Sequence, residues 1–261
     1  MQYKEISLEN FADRKQQLKQ VIRYHPYTPM FYRTNLFIHS TRVLWILEEL
    51  AHEISKQFLD FDVDVARCLA LIHDDPEIIT GDIQEPDKRA MTGDVLHSFR
   101  QLEQEAIEQL AQQFPEKIHE FNYKDLSLRY HHKHGEDLEA VAVKYADILD
   151  GFGKALHELY AGNTLFTTSY RERVTDPVTG HRLILLEFFD EYPRFAPLLN
   201  KHPLFTLPSE IALHNIVERS TPHTHATVTQ ETENPYYDWW KRITLECGGD
   251  MGLRWLTNKI E

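Results

Sequence analysis

Leu69-Ala70-Leu71-Ile72-His73-Asp74-Asp75-Pro76-Glu77-Ile78-Ile79-Thr80-Gly81-Asp82 is an apolar run that ends abruptly in an imidazole and a carboxylate. Such groups are costly to bury unpaired, and a bound divalent metal is one partner that would justify them there. Neighbouring side chains on a helix point about 100° apart. His73 and Asp74 can therefore converge only on something seated beside the helix, while Glu77 at i+4 returns to the face of His73. Ligand pair and acid could share one pocket.

A His-Asp pair alone is weak evidence in a chain with 15 histidines, so its surroundings carry the case. Upstream, Asn35-Leu36-Phe37-Ile38-His39-Ser40 opens a helical pattern; downstream, Val143-Lys144-Tyr145-Ala146-Asp147-Ile148-Leu149-Asp150-Gly151 lies inside another. The ordered set is His39, His73 with Asp74, and Asp147. Two imidazoles and two carboxylates suit one divalent transition metal (manganese, cobalt, nickel, iron or zinc) and leave positions open if it is six-coordinate. Such an ion can polarise a phosphoryl oxygen and bring the pKa of a bound water towards ~7. Glu77 could protonate the leaving oxygen. Asp82, just past Gly81, could hold the attacking water or the acid, or could simply cap a turn.

Outward from this stretch, the pattern is helical. Ile6, Phe11, Leu18, Val21 and Ile22 predict an amphipathic helix within residues 5–23. Arg23-Tyr24-His25-Pro26-Tyr27-Thr28-Pro29 breaks it, and is either one wall of the pocket or a solvated connection. From Thr34 or Asn35 as N-cap, Leu36, Val43, Leu44, Leu47, Leu50, Ala51 and Ile54 predict a helix to about Phe58. Asp60-Phe61-Asp62-Val63-Asp64 should cap the next helix, Val65 to about Asp75. Thr80 to Lys88 reads as loop, then helices follow from Asp94 or Ser98 to Gln113, from about Pro115 to Lys133, and from Glu136 to about Tyr160. Arg171 to Gly180 is the best candidate hairpin. Leu183 to Leu199 resumes a helical pattern interrupted by Pro193 and Pro197. The stretch Ser220 to Glu233, with His223 and His225, reads as linker, and the tail with Trp239, Trp240 and Trp255 is aromatic enough to need burial. The expected fold is all-α, with a core over residues 1–200 and a C-terminal extension, 201–261, packing on the core or on a partner subunit.

The formal net charge of −13 argues against nucleic acid or an anionic membrane as partner. A small anionic substrate remains compatible if a metal supplies local positive charge. The N-terminus lacks the basic and apolar regions of a signal peptide, and no apolar run approaches ~20 residues, so a soluble cytoplasmic protein is expected. Cys68 and Cys247 stand alone, without the spacing of a disulfide framework or a thiolate zinc site.

The run from His73 to Asp82 resembles the HD-x-x-E-hydrophobic-hydrophobic-T-G-D signature of the HD-domain phosphohydrolases, in their 5'-deoxynucleotidase-like branch. Val143-Lys144-Tyr145-Ala146-Asp147 and Glu158-Leu159-Tyr160-Ala161-Gly162-Asn163 are similar to that branch's later helix and turn, so the resemblance covers roughly residues 20–165. It implies an all-helical HD domain with one divalent metal held by His39, His73, Asp74 and Asp147, and Glu77 and Asp82 as acid/base and water-positioning residues. It also implies Arg23 and Lys88 at the substrate, hydrolysis of nucleoside 5'-monophosphates, and a homodimer. The chain departs from the branch's pattern in Arg23-Tyr24-His25-Pro26, which has one residue more, at Ile38 in place of a glutamate, and at Asp75-Pro76, where a smaller pair is usual. His97, His131 and His132 leave open a multi-metal phosphodiesterase or pyrophosphohydrolase. A non-catalytic nucleotide-binding HD module is the third reading, one that has no need of the acid Glu77.

Overall fold

The segments expected to carry the ligands are three helices that pack on one another: α2 (Leu36–Gln57), α3 (Val63–Ile72) and α8 (Leu138–Tyr160). The structure is a computed structural model that describes residues 3–24, 34–83, 85–132, 137–160, 187–198 and 201–202. Of the described residues, 70% are helical and 4% extended, so the fold is all-α.

α2 starts where expected. The Asn35 side chain accepts the Ile38 N–H at 3.0 Å, satisfying one of the donors a helix leaves unpaired at its first turn. Val43, Ile46, Leu47, Leu50, Ala51 and Ile54 then form one fully enclosed stripe. α3 is capped by Asp62, whose Oδ1 accepts from the N–H groups of Asp64 and Val65 at 3.0 Å each. Ala66, Cys68, Leu69, Ala70 and Ile72 are all solvent-free. A helix buried nearly all round is a central one, which is why the residues at its C-terminal end arrive inside the molecule.

α3 ends at Ile72 and not near Asp75. Pro76 has no N–H to give the Ile72 carbonyl, and the Asp75 N–H takes that carbonyl instead at 3.0 Å. Residues 73–76 are therefore a run of turns. Glu77 begins a separate single turn, α4 (Glu77–Thr80), closed by Gly81 at φ 77° with its N–H on the Glu77 carbonyl at 2.9 Å. A side chain would be strained at that φ.

Other boundaries shift for local reasons. The first helix is only α1 (Arg14–Gln20), because Asp13 sits at φ 60° and residues 8–13 turn, although Ile6, Phe11 and Leu18 enter the core as expected. The stretch read as loop to Lys88 contains α5 (Glu85–Ala90), with Pro86 in its first turn, where a missing N–H costs nothing. α6 (Gly93–Gln113) matches its expected bounds closely. The helix expected from Pro115 is a two-stranded hairpin, β1 (Lys117–Ile118) with β2 (Phe121–Asn122), followed by α7 (Tyr123–His132). His119 at φ 55° makes the turn between the strands. Residues 187–191 are helical and Pro193–Leu198 form a 3₁₀ helix. Their Phe188 and Phe195 rings lie 5.3 Å from Tyr145 and 4.9 Å from Phe58. The expected hairpin at 171–180, the linker with His223 and His225, and all but two residues of the 201–261 extension lie outside the described residues. Among the described residues no helix is long and apolar enough to cross a membrane.

Candidate metal centre

His39 enters from the first turn of α2, His73 from the end of α3, Asp74 from the turn that Pro76 enforces, and Asp147 from the middle of α8. His39 Nε2 is 3.2 Å from His73 Nε2, 3.2 Å from Asp74 Oδ2 and 3.1 Å from Asp147 Oδ1. His73 Nε2 lies 3.4 Å from Asp74 Oδ1. Both imidazoles are buried, whereas the Asp147 side chain keeps 31% of its surface exposed. Among the described residues, His39, His73 and Asp74 form the group whose ligating atoms all lie within 4.8 Å of one another. Asp147 is brought to it through His39. The second ring nitrogen of His73 is committed, since Nδ1–H donates to the Ala70 carbonyl at 2.9 Å, which leaves the Nε2 lone pair turned into the cluster.

The cluster favours positive charge. Burial works against a charged His39, yet hydrogen bonds to Asp147, Asp150 and Asp74 outweigh it and raise the imidazolium to about 10. Burial likewise opposes ionisation of Asp74, but His73, His39 and Arg23 hold that carboxyl well below the usual range. Asp147 is lowered against burial by its hydrogen bond to His39 and by Arg23. Two ring nitrogens and a carboxylate aimed at one buried point, with a second carboxylate beside it, are a donor set that fits a divalent transition metal.

Glu77 comes to the same pocket by way of α4 and not along the α3 face. Its Oε1 accepts from Lys88 Nζ at 2.9 Å, and its Oε2 is buried with no hydrogen-bond partner among the described residues. An unsatisfied oxygen of this kind is uncommon enough to point to a use. Burial raises the Glu77 pKa, the Asp74 charge raises it further, and Lys88 opposes both. Arg23 sits beside the start of α2 because its N–H bonds the Thr34 carbonyl at 2.9 Å. Its Nη1 donates to Asp74 Oδ2 at 2.8 Å and its Nη2 lies 4.0 Å from Asp147. Burial disfavours that guanidinium's charge, but Asp82, Asp74 and Asp147 more than compensate. The segment after α1 is thus a wall of the pocket up to Tyr24. Asp82 is half-buried and is placed by its charge near Arg23 and Glu77. All eight residues singled out in the sequence meet in this one region.

Among the described residues, neither His97 nor His131 belongs to the ligand group. His97 is exposed, and His131 Nε2–H donates to the His73 carbonyl at 3.1 Å while its Nδ1 lies 3.9 Å from Glu103. The side chain of His132 lies outside the described residues. Two contacts went unread in the sequence. Asp150, one turn beyond Asp147, accepts from His39 Nδ1–H at 2.7 Å. Asp75 is fully buried against Arg14, with contacts of 2.6–3.0 Å, and against the Tyr123 hydroxyl at 3.2 Å. The i,i+3 spacing of the two α8 aspartates was the one available signal; Arg14 offered none.

A helical fold that draws His, His-Asp and Asp from three helices onto one cation-favouring pocket defines a member of the HD-domain superfamily. Residues 10–192 match the family described as 5'-deoxynucleotidase YfbR-like, and the chain belongs to that family, whose named members are phosphohydrolases. It is 29% identical over 134 residues to a 5'-deoxynucleotidase of Pectobacterium atrosepticum, covering 51% of this chain and 65% of that protein. It is 28% identical over 170 residues to one of Erwinia tasmaniensis, covering 64% and 83%. A 5'-deoxynucleotidase of Yersinia pestis is 31% identical over 134 residues, 51% of this chain and 65% of that protein. The match spans just under two thirds of the Pectobacterium and Yersinia proteins. A conserved hypothetical protein from Pyrococcus furiosus has a similar structure (TM-score 0.48, 22% identity, 69% of this chain and 98% of that one).

Proposed function

We propose that the chain is a metal-dependent phosphomonoesterase that hydrolyses nucleoside 5'-monophosphates, deoxynucleotides foremost, to nucleoside and phosphate. The observation that carries this is the meeting of His39, His73 and Asp74 within 4.8 Å beside a buried acid, Glu77, and two cations, Arg23 and Lys88. His39, His73, Asp74 and Asp147 would hold one ion of manganese, cobalt, nickel, iron or zinc, which when bound supplies an electrophile for a phosphoryl oxygen and a nucleophile at neutral pH. Arg23 and Lys88 draw the phosphate in and fix its orientation. Glu77, whose burial favours the protonated form, gives its proton to the ester oxygen as the nucleoside leaves. Asp82 orients the attacking group or the acid. The core ends near residue 200, and the protein acts as a cytoplasmic homodimer.

Phosphate release from a panel of nucleoside 5'- and 3'-monophosphates, cyclic nucleotides and nucleoside triphosphates, each with Mn²⁺, Co²⁺, Ni²⁺, Fe²⁺ or Zn²⁺, tests the proposal. The 5'-monophosphates should turn over fastest. Preferred turnover of cyclic nucleotides or triphosphates would favour the phosphodiesterase or pyrophosphohydrolase reading. No turnover of any with any ion would favour the binding module.

A further inference from the structure

The geometry points to Asp150, gripped by Arg42, as the positioning residue that decides which nitrogen of His39 faces the candidate metal centre and thereby sets the cation affinity of the site. The inference rests on the metal reading given under Proposed function and concerns residues that reading does not use. An imidazole can ligate through either nitrogen, and the one it presents is set by the hydrogen bond the other makes. His73 settles the matter locally, through the Ala70 carbonyl at 2.9 Å. The His39 ring instead reaches across to α8, where Asp150 Oδ2 receives Nδ1–H at 2.7 Å. Nε2 is then the nitrogen left towards His73, Asp74 and Asp147.

One turn of each helix makes the arrangement. Asp147 and Asp150, three residues apart on α8, stand on the Nε2 and Nδ1 sides of the same ring. His39 and Arg42, three apart on α2, both reach Asp150: Arg42 Nε donates to Oδ1 at 2.6 Å and Nη2 to Oδ2 at 3.0 Å. The fork holds the carboxylate plane in one orientation, and His39, Arg42 and Asp150 are all 0% exposed. A solvent-free ion pair is a poor source of stability, because losing water costs each charge several kcal/mol. Its value here lies in direction: Asp150 fixes the ring and makes Nε2 a better donor. The carboxylate is not itself a ligand, since the nitrogen it meets is the one turned away from the cluster.

The test uses Zn²⁺ as the probe on the full-length chain stripped of metal. The pair is removed by R42M/D150L, which exchanges two buried charges for apolar groups of similar size, a change that often leaves stability intact. Isothermal titration reads Zn²⁺ affinity, and histidine ¹H–¹⁵N spectra of the Zn²⁺ form read the His39 Nδ1–H, with thermal unfolding of the metal-free protein alongside. Wild type should show a slowly exchanging Nδ1–H signal. R42M/D150L should melt near wild type, lose that signal and bind Zn²⁺ about 10- to 100-fold more weakly. In Asp150→Asn the amide oxygen can still accept the proton without the charge, so the signal should persist with a severalfold loss of affinity. Unchanged affinity and an unchanged Nδ1–H in R42M/D150L would overturn the inference. If that variant does not fold, Asp150→Asn binding within about twofold of wild type would overturn it. Wild-type protein that takes up no Zn²⁺ would overturn the metal reading and the inference with it, and the wild-type titration, run first, tells the two failures apart.

Discussion

Removing the guanidinium of Arg14 should unfasten the turn that carries the ligands. Arg14 on α1 meets Asp75 through three contacts, Nε at 3.0 and 2.8 Å and Nη2 at 2.6 Å, and the two side chains are 5% and 0% exposed. Burial pushes the Asp75 carboxyl up and Arg14 works against that push, so the pair compensates itself. Arg14→Met leaves the carboxylate with the Tyr123 hydroxyl alone. Breaking a buried pair from one side costs about 3–5 kcal/mol. At about 2–4 °C per kcal/mol for a chain of this size, the melting temperature should fall by roughly 6–20 °C. Asp75 lies between Asp74 and the Pro76 turn that launches Glu77, so metal retention and kcat should fall at temperatures where the variant is still folded. The double variant R14M/D75L removes both charges and should recover most of the lost stability, because no unpaired charge remains. Scanning calorimetry and metal content of the three proteins decide the matter. A single variant melting within about 2 °C of wild type would refute the reasoning, and so would a double variant as unstable as the single, which would place the cost in packing and not in the stranded carboxylate.

Glu77→Gln keeps the shape and removes the proton. It should retain metal, lose ~10²- to 10⁴-fold in kcat on a nucleoside 5'-monophosphate, and lose far less on p-nitrophenyl phosphate, whose leaving group needs little protonation; equal losses would assign Glu77 to positioning. Arg23→Ala should raise KM more than it lowers kcat if the guanidinium binds phosphate alike in ground and transition states, and an unchanged KM would return Arg23 to a purely structural pairing with Asp74.

What could be read from the sequence follows the range of the interactions. α2, α3 and α8 announce themselves because their signals are local: Asn35 and Asp62 at caps, and apolar stripes at helical spacing. His73 and Asp74 are legible because they are adjacent, and His39 and Asp147 because each lies on a recognisable helix. The pairs that hold the site are not local. Arg14 finds Asp75 across 61 residues and Arg42 finds Asp150 across 108, and apart from the spacing of Asp150 from Asp147 nothing in a chain of 28 basic and 41 acidic residues marks those partners out. The two-residue strands of the hairpin are too short to show a period of two. The end of α3 is a different kind of miss, because its cause, Pro76, was in plain sight. The helix is expected to run to about Asp75, but the carbonyl that the missing N–H would have bonded is that of Ile72, and α3 ends there. The two ligands therefore lie just past the end of α3, with Asp74 Oδ1 3.4 Å from His73 Nε2.

The charges around the cluster bear on how the proposed metal and phosphate would share it. Arg23 and Lys88 are the cations at the opening, and each is engaged: Arg23 with Asp74 and, through its charge, Asp82 and Asp147; Lys88 with Glu77. Asp74 and Asp147 are held ionised. In the chain alone Arg23 is thus paired with an ionised carboxylate, and Lys88 with a Glu77 whose burial favours the protonated form, in a protein of net charge −13. A divalent ion held by His39, His73 and Asp74 would supply local positive charge and would compete with Arg23 for the Asp74 carboxylate. The pairing of Arg23 with Asp74 at 2.8 Å would then link the two proposed subsites, since a cation drawing on Asp74 would loosen the guanidinium that a phosphate is proposed to meet.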